Sequence, residues 1–186
     1  ADNFKKIGAK KTFVLPNGYD SEDYPNPIKK EVISTFKIGH FGLYNSLRDY
    51  SFFWKTINKL QSSISGFDSD LKLFFSGEVH NDFNKNLKSC GLFNKLDYHF
   101  YLNHKDAISS MMTCDMLLVT QADTKSALGR LPAKIFEYLR ARKPILAIGK
   151  KNSDLEKLIS QISYAWFVDI NNNQLLYDTI VKIYNL

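Results

Sequence analysis

Gly129-Arg130-Leu131-Pro132-Ala133-Lys134-Ile135-Phe136-Glu137-Tyr138-Leu139, continued by Lys143-Pro144-Ile145-Leu146, reads as a loop, a helix start, a helix and then a strand. Pro132 suits the first turn of a helix over Ala133–Arg140, since a first-turn N–H has no intrahelical partner to lose. Ile135, Phe136 and Leu139 recur at helical spacing and face a core. The apolar run Pro144–Ile148 has the length and composition of a buried strand.

Working outward, strand and helix signals alternate. Thr12–Leu15, Thr35–Phe41, Leu71–Phe75, Tyr98–Leu102, Met116–Thr120, Pro144–Ile148 and Trp166–Ile170 are rich in apolar, β-branched and aromatic residues. Several are nearly continuous in apolar residues, as in strands buried on both faces of a parallel sheet. Tyr50–Gln61 carries Phe53, Ile57 and Leu60 on one helical face. Leu155, Leu158, Ile159 and Ile162 form a second stripe, preceded by a Ser153/Glu156 capping box. Gly91 suits the end of a helix over Asp82–Cys90. This order predicts one α/β domain, a Rossmann-like doubly wound parallel sheet of about six or seven strands. Ligands of such sheets bind at the carboxyl ends of the strands. The stretch 16–27, rich in Pro, Asn, Gly and Asp, reads as a linker or surface loop.

The 186 residues suffice for one substantial core, and 44% hydrophobic with 24% charged residues is ordinary for a globular protein. No apolar run of about 18 residues predicts a membrane span, and no signal-peptide pattern opens the chain. The first residue, Ala1, suggests a piece of a longer protein. Two cysteines make no disulfide framework, which points to a reduced, cytoplasmic setting, with Cys114 packed in the core. The net charge of +6 gathers weakly at Lys5–Lys11 and Arg140–Lys151. It fits a solvated face, an anionic substrate or peripheral contact with a membrane surface. No helix-turn-helix, zinc-finger or RNP pattern supports nucleic acid.

A helix start at Pro132 presents free N–H groups and a positive partial charge, which suit a diphosphate. A carboxylate one turn in, Glu137, can accept two hydrogen bonds from a ribose diol. The same residues admit a plainer account, in which Lys134 and Glu137 form a surface i,i+3 ion pair worth about 0.2–0.5 kcal/mol.

The string G-x-L-P-x-K-I-F-E-Y-L followed by K-P-I-L-A resembles the donor-site motif of GT-B glycosyltransferases of the family-4, glycogen-synthase-like group. Other segments fall in that family's order. Val14-Leu15-Pro16-Asn17-Gly18-Tyr19-Asp20 is similar to its V-I-P-N-G-V-D signature. Ile38-Gly39-His40-Phe41-Gly42 with Arg48 resembles the opening strand and loop of its C-terminal domain. Leu73-Phe74-Phe75-Ser76-Gly77 is similar to its second strand end, and Tyr98–His104 with Asp115–Val119 to its central region.

The resemblance implies the C-terminal half of a GT-B fold, binding a nucleotide-sugar donor across from a second Rossmann-like domain that carries the acceptor. It implies transfer of a hexose to a glycan or lipid-linked acceptor in polysaccharide or cell-envelope biosynthesis, with retention and without a metal or other cofactor. Glu137 matches the ribose-binding glutamate and Arg48 a diphosphate-binding cation. Lys134 matches the motif lysine, and Gly42 and Gly77 match places where backbone approaches the donor. His104 falls in a loop that nears the base or sugar. Catalytic groups would come partly from the other domain. Gly129 stands where the family has a first glutamate, Leu43 where it often has arginine, and Ala133 where it has Ser or Thr. These departures leave open a non-catalytic binding module, and the architecture is shared with sugar-nucleotide epimerases and phosphorylases. Asp68-Ser69-Asp70 has a metal-binding form, but it precedes a strand instead of following one. His40, His80, His99 and His104 lack metal-ligand spacing. No G-x-G-x-x-G, P-loop or nucleophile-elbow pattern occurs.

Overall fold

Every residue of the strands β4 (Met116–Thr120) and β5 (Ile145–Gly149) is buried, as strands covered on both faces must be. They belong to a computed structural model that describes residues 2–13, 15, 17–24 and 35–186. With β1 (Phe36–Phe41), β2 (Leu71–Ser76), β3 (Leu96–His99) and β6 (Ala165–Asp169) they make one parallel sheet, ordered β3-β2-β1-β4-β5-β6. The helices are α1 (Asp2–Lys6), α2 (Ser51–Ser63), α3 (Phe67–Asp70), α4 (Phe83–Ser89), α5 (His104–Thr113), α6 (Lys134–Ala141), α7 (Asp154–Ile159) and α8 (Asn173–Tyr184).

Alternation along the strands builds two cores. Ile38, Leu73, Phe75, Met116, Leu118, Leu146 and Ile148 pack on one face against α2, α4 and α8, through Phe53, Trp54, Ile57, Leu60, Phe83, Leu176 and Ile180. Phe41, Phe74, Leu117, Val119, Ile145 and Ala147 pack on the other against α5, α6 and α7, through Ile108, Met111, Ile135, Tyr138, Leu155 and Ile159. The inner face of α6 is therefore Ile135, Tyr138 and Ala141, with Phe136 and Leu139 only half-buried. Tyr138 takes the central place because its ring fills the core while its hydroxyl meets a polar need of the sheet, described below.

Most predicted elements appear within a residue or two. Ser153 caps α7 by accepting from the Glu156 N–H at 3.2 Å, while Glu156 Oε2 accepts from the Asn152 N–H at 2.6 Å. Gly91 closes α4 at φ 67°, where the Leu92 N–H reaches the Leu87 carbonyl at 2.9 Å. Cys114 is buried, its thiol donating to the Ser110 carbonyl at 3.3 Å, and burial pushes its pKa up to about 12.

Two strand expectations change. The edge strand is Leu96–His99 instead of Tyr98–Leu102, because its register runs from Leu73↔Leu96 to Ser76↔His99 and β2 ends there. Phe100 and Tyr101 lie beyond in an exposed loop. Thr12, Phe13 and Leu15 are not in a strand; Phe13 and Leu15 are almost fully exposed, and Val14 lies outside the described residues. A strand needs a neighbour for its backbone, and this stretch is not paired with the sheet. Of the predicted linker, residues 17–20 are irregular and 21–24 form a turn, braced by a Glu22 N–H to Asp20 Oδ1 bond of 3.0 Å, while 16 and 25–27 lie outside the described residues.

Gly77 is fixed by packing. Its φ is 124°, and a Cβ there would lie 2.7 Å from the Gly42 carbonyl carbon. Gly77→Ala should therefore lower unfolding stability by about 2–4 kcal/mol, since it adds left-handed strain to a steric clash with backbone. Chemical denaturation measures this; a loss below about 0.5 kcal/mol, the level of an ordinary surface change, would refute it.

Candidate functional site at the topological switch point

The chain leaves β1 for α2 on one face and β4 for α6 on the other. A crevice must open where neighbouring strands part in this way, at their carboxyl ends. The β1–β4 register covers only Ile38↔Met116 and Gly39↔Leu117. Beyond Gly39 the two strands part, and their backbone groups need other partners. Two side chains supply them. The Tyr138 hydroxyl, from α6, accepts the Phe41 N–H at 2.9 Å. The His40 ring donates from Nδ1 to the Leu118 carbonyl at 3.1 Å.

The opening is a cleft of about 200 Å³. On the α6 side it is lined by Pro132, Ala133, Lys134 and Tyr138, and on the α2 side by His40, Gly42, Leu43, Arg48 and Thr120. Among the described residues no side chain caps the start of α6. Its first turn is tight, with the Ile135 N–H on the Pro132 carbonyl at 3.0 Å. The helix starts at Lys134, one residue later than the sequence suggests, and Pro132 sits just outside it at the cleft rim. The Arg48 guanidinium is held over the cleft by the Leu43 carbonyl, which accepts from Nη1 at 3.1 Å.

Loop geometry around the cleft is braced by buried polar side chains. Gln121, directly after β4, donates from Nε2 to the carbonyls of Ala127 at 2.5 Å and Arg130 at 3.0 Å. Its own carbonyl accepts from Tyr50 Oη at 2.5 Å. These bonds close the loop that delivers α6. On the other face the Asp49 carboxylate, 2% exposed, accepts from His80 Nε2 at 2.7 Å, Asn86 Nδ2 at 2.6 Å, Trp54 Nε1 and Tyr44 Oη. The loops after β1 and β2 are thereby tied together.

Of the seven candidate site residues, Gly42, Arg48 and Lys134 line the cleft. Glu137 sits behind Lys134, its carboxylate 2.7 Å from Nζ, so the i,i+3 pair forms at the cleft's edge. Gly77 backs onto Gly42 and is not in the lining; its glycine serves backbone packing. His104 opens α5 and pairs with Asp23 at 2.8 Å. Gly129 is exposed, with the Asp154 carboxylate its nearest neighbour. Neither is in the lining. The Asp-x-Asp pair lies at the amino edge, as its place before β2 suggests. There Asp68 pairs with Lys95 at 2.9 Å and Asp70 accepts from Tyr184 at 2.7 Å. The larger cavity, about 610 Å³, also lies at that amino edge, next to Phe36, Asp115 and Pro144.

Sequence reasoning passed over His40, Thr120, Gln121 and Tyr138. The signal available was polar residues at the carboxyl ends of apolar runs, where a buried strand side chain stays polar only if something needs it.

Solved structures share this architecture. No family model matches the chain, and no curated protein sequence does. WaaG, a glycosyltransferase involved in lipopolysaccharide biosynthesis, superposes with a TM-score of 0.68 at 15% identity over 92% of this chain and 47% of its own. The C-terminal domain of the Francisella tularensis glycosyl transferase LpcC gives 0.58 at 14% identity over 81% and 76%. S. aureus TarM, solved with UDP, fondaparinux and alpha-GlcNAc-glycerol, gives 0.70 at 11% identity over 100% and 35%. The chain thus spans about half of WaaG and a third of TarM.

Two outcomes follow from the polar braces. Tyr138→Phe leaves the buried Phe41 N–H without its acceptor and should cost about 1–3 kcal/mol in chemical denaturation; wild-type stability would show that the hydroxyl does not hold the strand end. Burial lowers the His40 pKa from 6.5 to about 4. The unfolded chain then binds more protons between these values, so stability falls as pH drops from 6.5 toward 4. This group should contribute on the order of 3 kcal/mol to that fall. Denaturation of wild type and His40→Asn across that window isolates the contribution, and parallel pH profiles would refute it.

With a parallel six-stranded sheet in the order β3-β2-β1-β4-β5-β6 and a cleft where β1 and β4 part, the chain has the fold of the C-terminal domain of GT-B glycosyltransferases.

Proposed function

We propose that this domain binds the nucleotide-sugar donor of a glycosyltransferase in the switch-point cleft. The observation that carries this reading is the uncapped start of α6 facing Arg48 across a crevice at the strands' carboxyl ends. Free N–H groups at a helix start and cationic side chains opposite them suit a diphosphate. In this reading Arg48 binds the diphosphate through its Nη2 group and stabilises the charge that grows on the departing nucleoside diphosphate. Lys134 neutralises a phosphate oxygen, and Glu137, released from Lys134, accepts the ribose hydroxyls. Gly42, at φ 116° with open space where a Cβ would stand, lets backbone line the site. These groups carry the phosphate charge, so no metal has a part here.

The acceptor, a glycan or lipid-linked saccharide, belongs to a second domain closing over the same cleft, and transfer is of a hexose with retention. The structural neighbour named for lipopolysaccharide biosynthesis supports an assignment to polysaccharide or cell-envelope synthesis, and the one solved with UDP supports a nucleotide-sugar donor; the setting in this reading is cytoplasmic. No helix among the described residues is long and apolar enough to cross a membrane, so contact with one would be peripheral. Leu43 and Gly129 replace charged residues of the family pattern, and these two positions favour, as a second reading, a binding module that has lost turnover.

A thermal-shift screen with UDP, GDP, ADP and CMP and their sugar conjugates tests the proposal, because a ligand of the folded state alone must raise the melting temperature. At least one nucleoside diphosphate should do so, and Glu137→Ala should weaken it by about 1.5–3 kcal/mol in calorimetry. No shift with any nucleotide, or unchanged affinity in the variant, would place the site elsewhere. Residues 1–186 alone should bind without sugar transfer, and turnover by them would remove the need for a second domain.

A further inference from the structure

Three polar atoms on the α2 side of the cleft are buried without a hydrogen-bond partner among the described residues: His40 Nε2, Arg48 Nε and Thr120 Oγ1. Their residues all line the cleft. His40 and Thr120 are 5% and 2% exposed. Buried polar atoms without partners are uncommon and call for a specific cause.

The chemistry of each atom is fixed. His40 spends Nδ1–H on the Leu118 carbonyl, and burial keeps the ring neutral at pH 7. Its Nε2 therefore offers a lone pair and accepts only. The ring cannot turn away freely, because it stacks on Phe75 at 5.4 Å and meets the edge of Tyr44 at 4.9 Å. Arg48 Nε–H only donates, and its Nη1 is engaged by the Leu43 carbonyl. Thr120 can do either.

A phosphate oxygen satisfies Arg48 but not His40, since an acceptor facing an acceptor gains nothing. A hydroxyl donates one hydrogen bond and accepts others, so it suits an acceptor such as His40 Nε2 and a donor such as Arg48 Nε alike. The cleft is thus two-sided. Its α6 wall, with the helix start and Lys134, offers donors and positive charge, and its α2 wall offers an acceptor beside a donor and a hydroxyl.

We infer that the α2 wall, through His40 Nε2, Thr120 Oγ1 and Arg48 Nε, recognises a hydroxyl of the donor's sugar. This rests on the donor-binding reading above. There the diphosphate lies between the α6 start and Arg48 Nη2 and the ribose takes Glu137, so the group left to reach His40 and Thr120 is the sugar beyond the second phosphate. His40 and Thr120 are then specificity-determining residues for the sugar and not for the nucleotide.

The experiment compares affinities for a nucleoside diphosphate and its hexose conjugate, with UDP and UDP-glucose, GDP and GDP-mannose, and ADP and ADP-glucose as probes, by calorimetry on the whole chain. His40→Asn keeps an amide N–H able to reach the Leu118 carbonyl while deleting the Nε2 lone pair. Thr120→Val keeps the shape and deletes the hydroxyl. Each variant should weaken the sugar conjugate at least tenfold and change the free diphosphate less than twofold. A melting temperature of the unliganded variant confirms folding, and Thr120→Val decides alone where His40→Asn does not fold. Equal loss for both ligands, or no loss for either, overturns the inference: the two side chains would then serve the fold, or pair with Arg48 directly. Failure of the wild-type chain to bind any nucleoside diphosphate sinks the donor-binding reading itself.

Discussion

The parting of β1 from β4 beyond Gly39 is the constraint on which the site depends. A doubly wound sheet must send consecutive loops to opposite faces at its switch point, and the ladder between the two strands then loses its hydrogen bonds. This chain repairs the loss with side chains, Tyr138 from α6 and His40 from β1 itself. One repair anchors α6 by its buried face to the strand end. The other sets the tautomer of a buried histidine and turns its free nitrogen into a fixed acceptor. A packing requirement of the sheet thereby decides both where the helix start points and what the opposite wall can bind.

Rigidity of the surrounding loops follows from the same logic. Gln121 holds the loop to α6 by two carbonyls, and Tyr50 in turn holds Gln121. Asp49 gathers donors from four residues on α2, α4 and the neighbouring loops. A buried carboxylate is tolerated only when well supplied with donors, so these residues specify one loop arrangement. Gly77 completes it, because its backbone touches that of Gly42 where a Cβ on Gly77 has no room.

The N-terminal turn adds a contact to α6 from outside the sheet. Tyr24 donates to the Glu137 carbonyl at 3.0 Å and its ring lies against Arg140, whose guanidinium carbon is 4.8 Å from the centroid. Asp23 pairs with His104 at the start of α5. The residues that follow the Val14–Asp20 stretch thus rest on α5 and α6. His104 is occupied by this contact, which accounts for its distance from the cleft.

The sequence by itself determined the order of the six strands and the helices between them, the helix after Pro132 that carries Lys134 and Glu137, and the loop that carries Gly42 and Arg48. Apolar periodicity, caps and turn residues act within a few positions of one another, so they are legible in a single chain. It did not determine that Gly77 serves Gly42, that His104 turns to Asp23, or that Thr12, Phe13 and Leu15 stay out of the sheet. Nor did it reveal the roles of His40, weighed only as a metal ligand, or of Thr120, Gln121 and Tyr138. Those roles depend on partners 6 to 97 positions away. They exist only once the sheet has parted and left backbone groups to be satisfied, and that is a property of the assembled fold.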